Sequence, residues 1–392
     1  MGGTKVMWKF PINAMIDITT RCNAGCPQCH RTDPMGLNKA SWLPDIVWNL
    51  EQFKQAFPKE IAKLIYIFDF CGTWGDCITN KDILPIVKYI REVAPDSIIN
   101  IATNGSLRND EFWWELGVAG DKNLSVVFDV EGTTQEMHQH YRQFTFLNKV
   151  LRNMDMLSQT RAKIKSQTLV WKHNEKHLQD IENLCMKHGS QRHHFVATDR
   201  FRARGTDKTI YYIKDKKYVL EKTSDNWQNV FRQTHQEFKE DENRPDYKRI
   251  ENIADSNSDY TRIDRRRFTT QQVSEEEKLE NEKLKETSSK CSIACEWGLK
   301  NKVVVNPDGQ VLPCCYFCNP HFLNKNSPDA KSKFVNNPVM IEYEKHKKEL
   351  NVFTASLVDI IKHKWFQATL IDSWEGDNMV PQCKTYCSKY KL

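Results

Sequence analysis

The sequence predicts an α/β fold built on a parallel sheet, and three observations predict it. Between residues 12 and 200, six short apolar runs alternate with five segments of helical periodicity. From about 205 to 290 aliphatic residues give way to charge, and from 291 onward cysteines and a turn-linked strand pair take over. Strands separated by single helices join by right-handed crossovers into a parallel sheet. Alternation alone does not separate an open sheet from a partial barrel. In either case chemistry belongs at the C-terminal ends of the strands.

The elements follow in order. "INAMIDITT" (12–20) is a strand, "LPDIVWNLEQFKQAF" (43–57) a helix with apolar spacing near 3.6, and "AKLIYIFDF" (62–70) the second strand. Then come helix 81–93, strand 97–104, helix 109–118, strand 124–132, helix 145–157, strand 163–171, helix 175–189 and a last strand, "RHHFVAT" (192–198). The stretch 205–290 is charged at nearly every second position and reads as a solvated linker or insertion. "KVVVNPDGQVLPCC" (302–315) is a hairpin turning at Asn306–Gly309, and "TASLVDIIKHKWFQATLID" (354–372) an amphipathic helix. The organisation expected is therefore a core over 1–204, the charged segment 205–290, and a small α+β domain over 291–392.

Composition narrows the class. The chain has 392 residues, 39% hydrophobic and 28% charged, with a net charge of +6, as an ordinary water-soluble globular protein would. That mild excess does not argue for nucleic acid, although "RIDRRRF" could touch a phosphate. No run has the length of a membrane span, and "MGGTKVMWKF" lacks a signal-peptide core, so a cytoplasmic protein is expected. Thirteen cysteines, an odd number without an export signal, argue against a disulfide framework. Three fall at 22–29, five at 291–318 and two at 383 and 387; Cys71, Cys77 and Cys185 stand apart and read as buried thiols. Clustering of this kind signals metal or redox chemistry.

"TTRCNAGCPQCHR" sets Cys22, Cys26 and Cys29 on one tight loop straight after the first strand. No second CxxC pair follows at zinc spacing. Three thiolates on a loop can take three corners of a [4Fe–4S] cube and leave the fourth iron open.

Here the chain resembles the radical S-adenosylmethionine (SAM) enzymes, with C-x3-C-x2-C after a first strand. The resemblance implies a partial (β/α)6, TIM-like barrel. It implies that SAM chelates the open iron and that its reductive cleavage yields a 5′-deoxyadenosyl radical, which takes a hydrogen atom from substrate. "CGTWGD" then places Gly72, Thr73, Trp74, Gly75 and Asp76 at the SAM amino group. "ATNGS" places Thr103 and Asn104 near the ribose or the methionine carboxylate. Asp129 is an acceptor for ribose hydroxyls, with a helix cap as its alternative. "MHQHYRQ" is similar to the H..YR segment of the peptide-modifying branch, which makes Arg142 the grip on the SAM carboxylate. Gln28 stands where the family has an aromatic residue.

"CSIACEWGLKNKVVVNPDGQVLPCC" resembles the auxiliary-cluster extensions called SPASM and twitch domains. Gly309-x4-Cys314 is intact, Cys291 and Cys295 precede it, and Cys383-x3-Cys387 closes the chain. Four of Cys291, Cys295, Cys314, Cys383 and Cys387 are implied as ligands of one auxiliary [4Fe–4S] cluster, with a zinc ribbon as the competing chemistry. Cys315 and Cys318 are taken as neighbours. The family implies oxidation or cross-linking of a peptide or protein side chain, or oxidation of a small polar metabolite such as an amino sugar. A non-catalytic nucleic-acid module is the reading from another class. Sulfatase maturases carry an aspartate base where this chain has Cys315. A flavodoxin or ferredoxin as electron donor and a monomeric state complete the expectations.

Overall fold

A computed structural model describes residues 7–198, 200–201, 205–224, 291–326, 334–376 and 378–390. Strands β1 (Ile12–Ile16), β2 (Ile65–Phe70), β3 (Ile98–Thr103), β4 (Leu124–Asp129), β5 (Lys163–Val170) and β6 (Arg192–Ala197) pair in parallel, each with the next. Burial alternates along β3 and β5, as expected of strands packed on helices on one face and facing an interior channel on the other. The helix Ile83–Val93 answers with Ile83, Ile86, Val87 and Ile90 buried at three- and four-residue spacing.

The first helix is shorter than its periodicity predicts. It runs from Leu50 to Ala56, because Asn49 and Gln52 form a capping box that starts it there, and Pro44–Trp48 serve as a brace instead. Within that brace Thr20 Oγ1 donates to the Pro44 carbonyl at 2.7 Å and accepts from Ile46 N at 2.9 Å. The 354–372 segment likewise splits at His363, whose extended backbone ends the helix Leu357–Lys362.

The larger departure concerns the C-terminal part. Strands β7 (Lys208–Ile213) and β8 (Lys216–Glu221) form an antiparallel hairpin inside the stretch read as the start of the charged linker. The rest of that segment, 225–290, lies outside the described residues. A short pair joins β9 (Cys291–Ile293) to a last strand considered below. The expected hairpin is present as β10 (Lys302–Val305) and β11 (Val311–Leu312), turning where Gly309 adopts φ +83°, a conformation open to glycine. It is not a sheet of its own. β10 pairs in parallel with β1, Ile16 opposite Val305, so one eight-stranded sheet runs β11-β10-β1-β2-β3-β4-β5-β6. The sheet is open, with β11 and β6 at its edges. Trp48 ties the two regions further, donating Nε1 to the Pro307 carbonyl at 2.6 Å and packing its ring 4.7 Å from that of Phe353. Strand β12 (Ser388–Tyr390) returns to pair with β9. Among the described residues no helix is long and apolar enough to cross a membrane.

Candidate functional site

The Cys22–Cys29 loop leaves β1 at the C-terminal end of the sheet. Cys29 N donates to the Cys26 carbonyl at 3.0 Å, a tight turn that gathers the thiols. Gly25 is required by space: a Cβ there would sit 2.7 Å from the Phe144 ring and 2.9 Å from the Leu37 carbonyl. Gln28 is fully buried and donates to Thr209 Oγ1 at 2.8 Å, so it staples the loop to the β7–β8 hairpin. The residue that replaces an aromatic thus serves the loop's support.

Of the SAM-segment residues, the structure brings some together and parts others. Asp76 is buried and is the hub. Its Oδ2 accepts from Thr103 Oγ1 at 2.9 Å, Asn104 N at 2.9 Å and Asn104 Nδ2 at 2.7 Å, and its Oδ1 accepts from Ile78 N at 3.0 Å. Burial raises its carboxyl above the usual range, against the pull of those donors. Asn104 Nδ2 in turn lies 3.7 Å from Cys22 Sγ. Asp76 therefore aims Asn104 at the cysteine loop. Gly75 presses on the Thr19 and Arg21 carbonyls, where no side chain fits, and Gly72 takes φ +71°. Thr73 turns to Cys71, their sulfur and hydroxyl 3.1 Å apart. Trp74 points away, its ring 4.7 Å from Phe322 of the C-terminal region.

Arg142 and Asp129 meet, Nη2 to Oδ2 at 2.9 Å, and Gln167 donates to Asp129 at 2.6 Å. Arg142 Nε also reaches Glu131 Oε1 at 2.9 Å, and its Nη1 lies 3.7 Å from Cys26 Sγ. One proton on each terminal nitrogen stays uncommitted, which leaves a fork for an incoming carboxylate. Burial pushes Glu131 up to about 7 despite that arginine.

Sequence reasoning missed four residues here. Glu131 follows Asp129 by two in "DVEG", and that paired acidity was the available signal. Asp17 interrupts an apolar strand just before the cysteines. It is buried, accepts Trp74 N on Oδ1 at 3.3 Å, has no partner on Oδ2, and burial pushes it up to about 7. Arg31 and Arg200 gave no signal, since Arg31 reads as an ordinary loop cation two residues after Cys29 and Arg200 stands in a run with Arg202 and Arg204.

The second cysteine set closes on one pocket, lined by Cys295, Cys314, Cys383 and Cys387 among Trp297, Phe317 and Trp374. Burial pushes Cys295 up to about 11 and Cys383 up to about 12. Cys291 enters only through its backbone, which pairs with Tyr390. Its thiol lies outside the described side chains. Cys318 donates to Asn306 Oδ1 at 2.5 Å, away from the cavity lining.

A single zinc ion with bonds near 2.3 Å would hold its sulfurs about 3.8 Å apart. Among the described residues no three cysteine sulfurs come within 4.8 Å of one another. Among the same residues the only set that close is His346, Glu349 and His363. There His363 Nδ1 accepts from Trp365 N at 3.1 Å, which leaves its proton on Nε2 facing Glu349, a hydrogen bond in place of a ligand atom.

Residues 295–388 match the model of the SPASM family, an iron-sulfur cluster-binding domain. Among solved structures the chain is similar to Streptococcus suis SuiB bound to S-adenosylmethionine, at 11% identity and TM-score 0.54, covering 94% of this chain and 68% of that one. The same enzyme bound to its precursor peptide SuiA gives 11% and 0.53, covering 94% and 67%. A histidine-tagged anSMEcpe with bound AdoMet gives 12% and 0.52, covering 93% and 81%. No curated protein matches. At such identity the likeness speaks for the fold, and it is the fold of radical SAM enzymes that carry a SPASM domain. The SPASM match supports an iron–sulfur cluster in the C-terminal region.

Proposed function

We propose that this chain is a radical SAM enzyme that oxidises or cross-links a side chain of a peptide or protein. One observation carries the reading: the first loop offers three thiols and the C-terminal cavity four. A cube at Cys22, Cys26 and Cys29 keeps one iron open for SAM, and a cube at Cys295, Cys314, Cys383 and Cys387 is closed. When bound, the first cluster and SAM supply a 5′-deoxyadenosyl radical. Arg142 takes the SAM carboxylate on its two uncommitted N–H groups. Asp76 holds Thr103 and Asn104 toward the loop, and Asp129 keeps Arg142 in place. Asp17, buried with one oxygen unpartnered, is the group present to accept the proton that an oxidation releases. Cys295, Cys314, Cys383 and Cys387 would hold a cluster that supplies a one-electron acceptor. The likeness to a peptide-bound structure favours a peptide over an amino sugar. A flavodoxin or ferredoxin would supply the reducing electron.

The test is to incubate the reconstituted, reduced protein with SAM and measure 5′-deoxyadenosine. Continuing formation is the expected result. None, from protein that holds its iron, overturns the proposal.

Arg142 yields a second expected result. Alanine there would strand the buried Asp129 and Glu131, so melting as well as SAM binding would suffer. Arg142→Lys keeps the charge and loses the fork. SAM binding should weaken by about 2 kcal/mol, roughly 30-fold, with iron content unchanged, as equilibrium dialysis against labelled SAM would show. Unaltered affinity would remove Arg142 from the SAM site.

A further inference from the structure

Three guanidiniums surround the Cys22–Cys29 loop, Arg142 beside a thiol and Arg31 and Arg200 on backbone carbonyls of the loop. Arg31 donates Nη1 to the Ala24 carbonyl at 3.1 Å and Nη2 to the Cys22 carbonyl at 3.4 Å. Arg142 stands 3.7 Å from Cys26 Sγ. Arg200 donates Nη1 to the carbonyl of Gln28, the residue before Cys29, at 3.1 Å and to Tyr141 Oη at 3.3 Å. The three differ in what balances their charge. Arg142 has two carboxylates at 2.9 Å. Arg31 and Arg200 meet only carbonyls and a phenol among the described residues. Arg31 is 5% exposed and leaves its Nε unpartnered.

Withdrawing an unbalanced cation from water is costly, and a loop flanked by one buried and one partly buried cation favours negative charge at its centre.

We infer that Arg31 and Arg200 set the reduction potential of the cluster held by Cys22, Cys26 and Cys29, and that Arg142, already balanced, is left to bind SAM. Reduction adds one electron from an external one-electron donor, with no bond made or broken, so the reduced state carries one more negative charge. Two fixed, partly dry cations favour that state over the oxidised one. They are positioning residues, acting through the charge at the thiolates and touching neither SAM nor substrate.

The inference rests on the cluster assignment, and the experiment separates the two. Full-length, anaerobically loaded protein without SAM is titrated with dithionite and mediators while the reduced clusters are followed by EPR. Arg31→Gln and Arg200→Gln keep a donor for the carbonyls and remove the charge. Each should shift the oxidised-to-reduced ratio at fixed potential about tenfold toward the oxidised form, about 59 mV for one electron. Arg200→Lys should return the midpoint to near the parent value. The auxiliary cluster in the same sample should not move. A Gln variant with full iron and the parent midpoint overturns the inference, as does a Lys variant shifted as far as Gln. Iron lost from Gln and Lys variants alike would assign both arginines to holding the loop, and overturns it too. A parent protein with no reducible cluster at this loop would instead refute the assignment beneath it.

Discussion

Replacing Cys22, Cys26 and Cys29 together with alanine should lower the iron of reconstituted protein from about eight to about four atoms per chain and abolish 5′-deoxyadenosine formation. All three thiols lie on one turn, and the loop is held independently of any cluster, by Thr20 on the Pro44–Ile46 brace, by Gln28 on Thr209 and by Gly25 N on the Gln143 carbonyl. The variant should therefore fold and keep the auxiliary site. Iron and sulfide analysis with a SAM-cleavage assay reads both effects. Full iron content, or residual cleavage above the background of cluster-free protein, would contradict the assignment of the open cluster.

Replacing Cys314 and Cys387 should remove the other four or so irons and leave SAM cleavage in place, now uncoupled from product. Its structural effect is as large. A cluster on Cys295, Cys314, Cys383 and Cys387 closes a loop of roughly 70 residues between Cys314 and Cys383, and a cross-link of that span stabilises by about 4 kcal/mol if it acts like a disulfide of equal reach. Melting should fall by on the order of 5–10 °C, and the terminal helix Pro381–Cys387 should become the first site of proteolysis. Retention of the full iron and the full melting temperature would show that other cysteines hold the cluster, or that none do.

Much of this was legible in the sequence because the signals were local. Periodicity gave the strand–helix alternation, and spacing gave the three-cysteine loop and the Gly309 turn. Spacing also offered five candidates for the second cluster, of which four line one cavity. What escaped depended on pairing at a distance. Nothing in "KVVVNPDGQVLPCC" says that its first strand will join β1. A buried strand in a parallel sheet is apolar throughout, and its partner leaves no mark on it. Arg200 was hidden for the same reason, since its meaning comes from the Gln28 carbonyl 172 positions earlier. Asp76 could be placed by its motif, yet the three donors that occupy Oδ2, and so make it a support, belong to another strand's end. Trp74 shared that motif and was carried along with it, although its side chain serves the packing of the two regions.

The pairing of β1 with β10 also bears on how the chain is made. Asn13 finds its neighbour Lys302 only after nearly three hundred more residues have been synthesised. At 5–20 residues per second the first strand waits roughly 15–60 s on the ribosome with one edge bare. During that wait the cysteine loop that follows it already has β2, β3 and β4 beside it, so the open-cluster site can take shape before the auxiliary one exists. An exposed parallel edge of apolar residues invites pairing with other nascent chains. Expression at high rates should thus yield aggregates seeded by β1, and slowing translation between β6 and β10 should make matters worse.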